Sequence, residues 1–386
     1  MDKENFVLQR YIEKQAIATA FVSNSEILNT KKLIVVIPSR NETALLDTLI
    51  SLSQNNFEDW DTIAVLCLIN FEEHITNSNE IDSKQLIDTL HEFKAKLPYQ
   101  LFPIGPIAMD QKTGGVGKAR KLLMDEAVRI FFSQSNWNGI IVNLDADCLV
   151  ANNYLTIILG YYNQSNAKPA VCLGFKHRYE FLSQAEIQAG KIYEYHLLRY
   201  IELQKKYNYP FAFQTLGSCF AVRALEYCQQ GGMNQRKAGE DFYFLHKFSI
   251  LDQLGEINVE IVLPLARSSD RVPFGTGKAI SQIIQGKKWT TYNEEAIQLF
   301  IQASQWFSTQ ENIKLIKPSY IPDALLRFLI DSGLETEITR CLRNTSNQDN
   351  FRKQVLRFFS PFILMKWLHF ARENGYPDDE IPLNLN

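Results

Sequence analysis

Apolar, β-branched runs alternate with segments of helical periodicity over the first part of this sequence, and that alternation constrains the fold most strongly. The runs lie at 33–37, 62–69, 99–107 and 140–144, and helical stretches separate them. Strands joined by crossover helices form a mostly parallel sheet with right-handed connections. We therefore predict an α/β fold with helices flanking the sheet, and we expect its ligand crevice beyond the carboxyl ends of the strands.

The remainder of the chain continues this pattern and then becomes helical. We predict strands at 170–175, 213–222 and 257–265, and helices at 184–206 and 242–251. From about residue 281 onward, apolar residues recur at three- and four-residue spacing, and Pro361 should kink or divide the last helix. The predicted domains are an N-terminal helical segment (1–30), an α/β domain (31–280) and a helical C-terminal region (281–386).

Composition excludes several classes of protein. The net charge of the 386 residues is −3, so no overall basic field favours nucleic acid as a partner. The six cysteines are scattered without a Cys-x-x-Cys pair, which indicates reduced, buried thiols rather than disulfides or a zinc site. The N-terminus lacks the apolar core of a signal peptide, and no apolar stretch is long enough to cross a membrane. We expect a cytoplasmic protein.

The apolar run at 140–144 ends in two acids, Asp145 and Asp147, separated by Ala146. Alternate side chains of a strand point to the same face, so both carboxylates could reach one hard divalent cation. Such a cation takes its remaining ligands from water and from substrate phosphates. An ordinary acidic turn after a strand is the alternative interpretation, and the neighbouring motifs must decide between them.

Four short motifs occur in an order that resembles a known enzyme family. They are Pro38-x-Arg40-Asn41-Glu42 after the first strand, Gly117-x-Ala119-Arg120 at a helix start, Asp145-x-Asp147, and Gly239-Glu240-Asp241 opening a helix. Together they resemble family-2-like glycosyltransferases with the GT-A fold, over about residues 33 to 277. Each motif is weak alone, and their combined order carries the specificity. The C-terminal third lies outside the resemblance.

The resemblance implies an enzyme that moves a sugar from a UDP- or GDP-linked donor to a hydroxyl of a carbohydrate or lipid-linked acceptor, with Mn²⁺ or Mg²⁺ as cofactor and inversion at the anomeric carbon. It assigns Asp241 as the catalytic base and Glu240 as its orienting neighbour. Arg267 or Arg271 could bind phosphate. The other implied roles are nucleotide-sugar binding by Pro38, Arg40, Glu42, Asn70, Gly117, Lys118, Arg120 and Asp145, acceptor binding by Gly217 and Ser218, and metal binding by Asp145, Asp147 and Asp270.

Several of these residues have simpler interpretations. Glu42 and the Glu240-Asp241 pair could be first-turn helix acids favoured by the helix dipole. A solvated helix face is the preferred interpretation of Lys118 and Lys121. Asn70 stands where relatives often place an acid that reads the base, so the identity of the base stays open.

Two other functions remain possible from the sequence. A non-catalytic nucleotide-sugar-binding protein could share the fold. A sugar nucleotidyltransferase is less favoured, because it usually carries a Gly-rich, Arg-containing loop directly after the first strand, and residues 39–42 lack one. The aromatic stretch at 358–367 could contact a membrane surface, although packing in a helical core is the preferred interpretation.

Overall fold

The computed structural model describes residues 3–17, 20–40, 42–73, 77–110, 114–236, 239–269, 275–309 and 318–382. The chain divides into two compact units. The first consists of Met1–Leu182 and Thr215–Lys278, and the second of Ser183–Gln214 and Ala279–Asn386. The three-part domain division at residues 30 and 280 stays a prediction.

Strands and helices alternate along the first half of the chain as expected. The strands are β1 (Leu33–Ser39), β2 (Ile63–Glu72), β3 (Gln100–Met109), β4 (Ile140–Asn143), β5 (Cys148–Val150), β6 (Ala170–Phe175), β7 (Phe220–Arg223), β8 (Leu254–Pro264), β9 (Thr290–Thr291) and β10 (Asp379–Glu380). The helices are α1 (Lys3–Lys14), α2 (Leu45–Ser53), α3 (Asn77–Phe93), α4 (Val116–Ser133), α5 (Tyr154–Tyr162), α6 (Gln184–Lys206), α7 (Ala224–Gln229), α8 (Glu240–Ser249), α9 (Thr276–Ile284), α10 (Glu294–Phe307), α11 (Asp323–Asp331), α12 (Leu334–Asn344), α13 (Gln348–Phe358) and α14 (Pro361–Ala371).

The first unit is built on an eight-stranded sheet with the order β3-β2-β1-β4-β7-β6-β8-β5 in the described residues. Pairing is parallel from β3 to β4 and between β6 and β8, whereas β7 and β5 run antiparallel to their neighbours. Residues 33–37 of β1 are completely buried, as expected for a central strand of a sheet covered on both faces. The predicted α/β architecture, a mostly parallel sheet with flanking helices and a helical C-terminal region, is confirmed.

We call the end of the sheet where β1, β2, β4, β6 and β8 finish the carboxyl edge. Because β7 runs antiparallel to β4, with Phe220 opposite Asn143, the residues just before β7 also lie at this edge. The segment from Arg267 follows β8, and Arg178 follows β6. Polar side chains from several loops therefore lie at the carboxyl edge.

Three details of the strands differ from the sequence prediction. β4 ends at Asn143, so Asp145 and Asp147 do not lie on a strand. They occupy a turn that leads into β5, because the backbone N–H of Cys148 donates to the carbonyl of Asp145 at 3.1 Å. β7 is confined to Phe220–Arg223, so residues 213–219 of the predicted strand lie outside it. β1 continues through Pro38 to Ser39 instead of stopping at the proline.

The second unit is mainly helical, with α6 and α10–α14 and a two-stranded sheet of β9 and β10. Pro361 is the first residue of α14 and separates it from α13, as predicted. The Trp367 indole N–H donates to the carbonyl of Ala296 at 2.8 Å, and Tyr209 donates its hydroxyl proton to the carbonyl of Phe359 at 2.7 Å. Phe359, Leu364 and Trp367 are fully buried, so these members of the aromatic stretch pack in a core.

All six cysteines are free and buried. No helix in the described ranges combines the length and apolar character needed to cross a bilayer.

Candidate active site

The turn Asp145–Cys148, which we call the acid turn, is the centre of the candidate site. Hydrogen bonds fix the turn on two sides. The N–H of Leu144, the residue before the turn, donates to the carbonyl of Val36 in β1 at 3.1 Å, and the Thr48 hydroxyl of α2 donates to the carbonyl of Ala146 at 2.9 Å. The side chains of Asp145 and Asp147 are 36% and 27% exposed. The acid turn therefore presents two partly accessible carboxylates at the carboxyl edge.

Arg120 connects the acid turn to the start of α8. It lies in the first turns of α4 and is only 3% exposed. One guanidinium nitrogen donates to Asp145 and another to Glu240, which is itself buried. A buried guanidinium requires such carboxylate partners, because an unpaired charge in the interior is costly. Three of the predicted site residues are thus brought together, and Asp241 follows directly in sequence.

Gly217 leaves the space that Arg120 occupies. A Cβ atom at this position would lie 2.3 Å from Nη2 of Arg120 and 2.5 Å from its Cζ. Such distances are far inside van der Waals contact, so any larger residue at 217 must displace the guanidinium. The glycine is therefore explained by the buried Arg120 side chain.

We expect Gly217→Ala to destabilise the protein by about 1–3 kcal/mol, since inserting a methyl group into a packed site forces side chains away from their preferred positions. Urea titration measures the change in unfolding free energy. Gly160→Ala in α5 is the matched control, because a Cβ there meets no atom within 4 Å, and alanine is the better helix former. Equal stability of wild type and Gly217→Ala would show that Arg120 is not held in this position.

Arg267 makes a second connection at the carboxyl edge. It follows β8 and pairs with Glu42, and its Nη2 lies 3.4 Å from Oδ2 of Asp147. Glu42 is buried and also accepts from the N–H of Ala44 at 3.2 Å, ahead of α2. The pairings link the loop after β1 to the acid turn, so Glu42 has more than a helix-dipole role. Arg271, the other phosphate candidate of the sequence analysis, lies outside the described residues.

Glu72 is a site residue that the sequence analysis missed. It is the last residue of β2 and forms an ion pair with Arg40. Asn70, two residues earlier, is buried and pairs in register with Ile107 of β3. Because alternate residues of a strand share a face, Asn70 and Glu72 point to the same side. Continuing the alternation of strand side chains from Asn70 to Glu72 would have identified this acid from the sequence.

Burial, and after it repulsion from neighbouring acids, sets the electrostatics of the site. Burial, together with the nearby charges of Asp145 and Glu42, raises the pKa of Asp147 to about 6, although Arg267 opposes this shift. Burial also raises the pKa of Asp241, with Asp145 adding to the effect and Arg120 and the N–H of Phe242 opposing it. The carboxylates outnumber the arginines paired with them, so the cluster favours a bound cation.

The donor set suits a hard divalent ion. Asp145 and Asp147 offer carboxylate oxygens, and their repulsion would be relieved by a cation. Within the part of the chain that the structure describes, no three His, Cys, Asp or Glu side chains form a complete metal cluster. Asp270, the predicted third ligand, lies outside the described residues, so its role stays a prediction.

The remaining predicted residues occupy varied positions, and their roles stay predictions. Pro38 lies within β1, and Lys118 is half-buried on α4. A Cβ at Gly117 would lie 2.2 Å from the carbonyl oxygen of Arg236, so this glycine permits close packing of α4 against residues 234–236. Ser218 is buried, and its hydroxyl lies 3.3 Å from Sγ of Cys219.

Comparison with known proteins gives only distant structural likenesses. No family model and no curated sequence matches the chain. A crystal structure of S. aureus TarS 1-349 in complex with UDP-GlcNAc has 15% identity and a TM-score of 0.44, covering 83% of this chain and 89% of that one. The mannosyltransferase PcManGT from Pyrobaculum calidifontis, in complex with GDP-Man and Mn²⁺, has 11% identity and a TM-score of 0.40, covering 96% and 82%. Glucosyl-3-phosphoglycerate synthase from Mycobacterium tuberculosis has 15% identity and a TM-score of 0.37, covering 68% and 80%.

Proposed function

We propose that this protein is a metal-dependent glycosyltransferase of the GT-A type, which transfers a sugar from a nucleotide donor to a hydroxyl acceptor with inversion. One observation carries the proposal: buried Arg120 joins Asp145 of the acid turn to Glu240, the immediate neighbour of Asp241. The groups to which we assign the diphosphate and the acceptor proton would thereby lie at one end of the sheet. Clustered ionisable groups with raised pKa values are a feature of functional sites, which supports the proposal.

The nucleoside end of the donor is assigned to the loops after β1 and β2. Arg40 and Glu72 form one ion pair there, and Asn70 lies on the same side of β2 as Glu72. An amide offers both donors and acceptors to a base, and a carboxylate accepts hydrogen bonds from base N–H or ribose hydroxyl groups. Pro38 and Glu42 complete this end of the pocket.

The diphosphate end is assigned to the acid turn and the basic side chains around it. Asp145 and Asp147 would hold Mn²⁺ or Mg²⁺, and the ion would offset negative charge on the departing nucleoside diphosphate. Arg267 lies close enough to Asp147 to exchange its carboxylate partner for a phosphate oxygen. Lys118 and the backbone near Gly117, at the start of α4, favour anions in the same region.

The transfer step is assigned to Asp241. Its carboxylate takes the proton of the acceptor hydroxyl as that oxygen bonds to the anomeric carbon and the bond to the diphosphate oxygen breaks on the opposite side. The raised pKa makes this carboxylate a stronger base than an exposed aspartate. Glu240, fixed by Arg120, orients the first turn of α8. Gly217 and Ser218 are the proposed acceptor contacts.

Calorimetry with UDP, GDP, UDP-sugars and GDP-sugars, with and without Mn²⁺, tests the proposal. We expect at least one donor to bind, and to bind more tightly with the metal. Asp147→Asn should abolish the metal dependence and leave the fold intact. Binding that is indifferent to Mn²⁺, or no binding by any of these ligands, would contradict the proposal.

Donor hydrolysis in the absence of an acceptor distinguishes the enzyme from a pure binding protein. A glycosyltransferase with a positioned base releases nucleoside diphosphate slowly as water replaces the acceptor. A binding protein on the same fold releases none. Detection of free UDP or GDP above the level of an Asp241→Asn sample therefore favours catalysis.

A further inference from the structure

Arg178 is a further charged residue at the carboxyl edge, and neither the nucleotide nor the transfer chemistry above uses it. It follows β6, where its backbone forms an isolated parallel bridge with Leu265. Its N–H donates to the carbonyl of Pro264 at 2.9 Å, and its own carbonyl accepts from the N–H of Ala266 at 3.1 Å. The backbone of Arg178 therefore fixes the end of β8 and the residue that precedes Arg267.

The side chain of Arg178 reaches the acid turn. Its Nη2 donates to the backbone carbonyl of Asp147 at 3.2 Å, while its Nε is buried without a hydrogen-bond partner. Arg178 as a whole is only half-buried, and leaving its Nε without a partner costs free energy that the bond to Asp147 must offset. The carbonyls of Asp145 and Ala146 also accept hydrogen bonds, so the bond from Arg178 makes Asp147 the third residue of the acid turn whose carbonyl has a donor.

Arg178 thus bonds to the acid turn through its side chain and to the backbone on either side of Leu265 through its own backbone. We infer that Arg178 is a positioning residue, whose side chain acts through Asp147 by fixing the carbonyl of that residue. The inference rests on the proposed function, because the purpose of positioning Asp147 is to hold the cation and the diphosphate. Arg178 itself need not touch either of them.

The chain contains a matched control. Arg223, at the end of β7, also donates to two backbone carbonyls, those of Asn138 at 3.0 Å and Tyr162 at 2.9 Å. It lies at the opposite end of the sheet, because Arg223 pairs with Ile140 at the beginning of β4. Arg178→Ala removes one hydrogen bond from a guanidinium to a backbone carbonyl and Arg223→Ala removes two, and only the first variant changes a contact of the acid turn.

Amide hydrogen exchange of the peptide covering residues 144–150 is the first readout, and it needs no ligand. We expect Arg178→Ala to accelerate exchange in this peptide, Arg178→Lys to restore part of the protection, and Arg223→Ala to leave it unchanged. Unchanged exchange at 144–150 in Arg178→Ala would overturn the inference. So would equal acceleration in the two alanine variants, since that would show a general loss of stability.

Calorimetric binding of UDP and GDP with Mn²⁺ is the second readout. Removing a residue that orients a metal ligand typically weakens binding 10–100-fold, so we expect about a tenfold loss for Arg178→Ala. The double variant Arg178→Ala/Asp147→Asn should bind no more weakly than Asp147→Asn alone, because both changes act through one group. Additive losses would overturn the inference. A wild-type chain that binds neither diphosphate overturns the proposed function, and the exchange comparison then decides the inference by itself.

Discussion

Asp241→Asn is expected to lower the rate of sugar transfer by about two to four orders of magnitude, the usual contribution of a positioned general base. The fold should be unaffected. Oδ1 of Asp241 accepts from the N–H of Phe242 at 2.7 Å, and the asparagine oxygen can accept the same hydrogen bond. Donor affinity should also be retained, because Asp145, which is assigned to the diphosphate end, keeps its contact with Arg120. Steady-state kinetics with the donor identified by calorimetry measure the effect.

Asp252→Asn is the control for Asp241→Asn. Its side chain is 91% exposed and pairs with Lys168 on the surface of the first unit, so the substitution should leave the transfer rate unchanged. A second comparison is Glu240→Gln, which removes a partner of buried Arg120 and should lower stability as well as turnover. Transfer by Asp241→Asn within tenfold of the wild-type rate would remove Asp241 from the role of base.

Strong local patterns explain why most of the fold was predictable. Residues 33–37 and 63–69 are uninterrupted apolar runs that become buried central strands, and a run of that kind has few alternatives next to crossover helices. Ser183 caps α6 with Glu186 three residues later, and the predicted helix 184–206 coincides with the observed one. Pro361 divides two helices because it removes a backbone donor and favours the first turn.

The acid turn shows what local patterns could not supply. The apolar residues before Asp145 continue past Asn143, yet the chain turns there, with the N–H of Cys148 donating to the carbonyl of Asp145. The strand that follows this turn, β5, pairs with β8, more than one hundred residues later in the sequence. The convergence of Arg120 on both Asp145 and Glu240 is likewise set by the tertiary fold. Motif spacing in the sequence identifies such residues as candidates, but it does not show that they are in contact.

Lys121 is the clearest failure of the sequence analysis. We expected a solvated helix face for it, yet it is only 5% exposed, because α1 covers this face of α4. Its Nζ donates to the hydroxyl of Tyr11 at 2.8 Å and pairs with Asp125 at 3.0 Å. In a sequence, a lysine followed four residues later by an aspartate is equally compatible with a solvent-exposed ion pair on a helix and with a buried one. Only the docking of the N-terminal segment distinguishes the two cases.

Asp125 is the acceptor that holds this buried network together, and its loss should produce the largest change in stability. It is fully buried, and it accepts from the hydroxyls of Tyr11 at 2.6 Å and Tyr227 at 2.8 Å and from the N–H of Ile17 at 2.8 Å. Asp125→Asn keeps the shape but leaves Lys121 buried without its counter-charge, and turns an amide NH₂ toward groups that are themselves donors. We expect a loss of about 3–5 kcal/mol in unfolding free energy, the usual cost of breaking a buried ion pair from one side.

The stability of Asp125→Asn is best judged against two other variants in urea titrations. Asp88→Asn changes an exposed carboxylate on α3 and should alter the unfolding free energy by no more than about 0.5 kcal/mol. Asp125→Asn/Lys121→Met removes both charges, and it should recover part of the loss because a neutral pair needs no counter-charge. A double variant no more stable than Asp125→Asn would show that the hydrogen bonds from Tyr11, Tyr227 and Ile17, and not the charge of Lys121, are what Asp125 supplies. A loss below about 1 kcal/mol for Asp125→Asn would mean that the N-terminal segment is not fastened to α4 through this carboxylate.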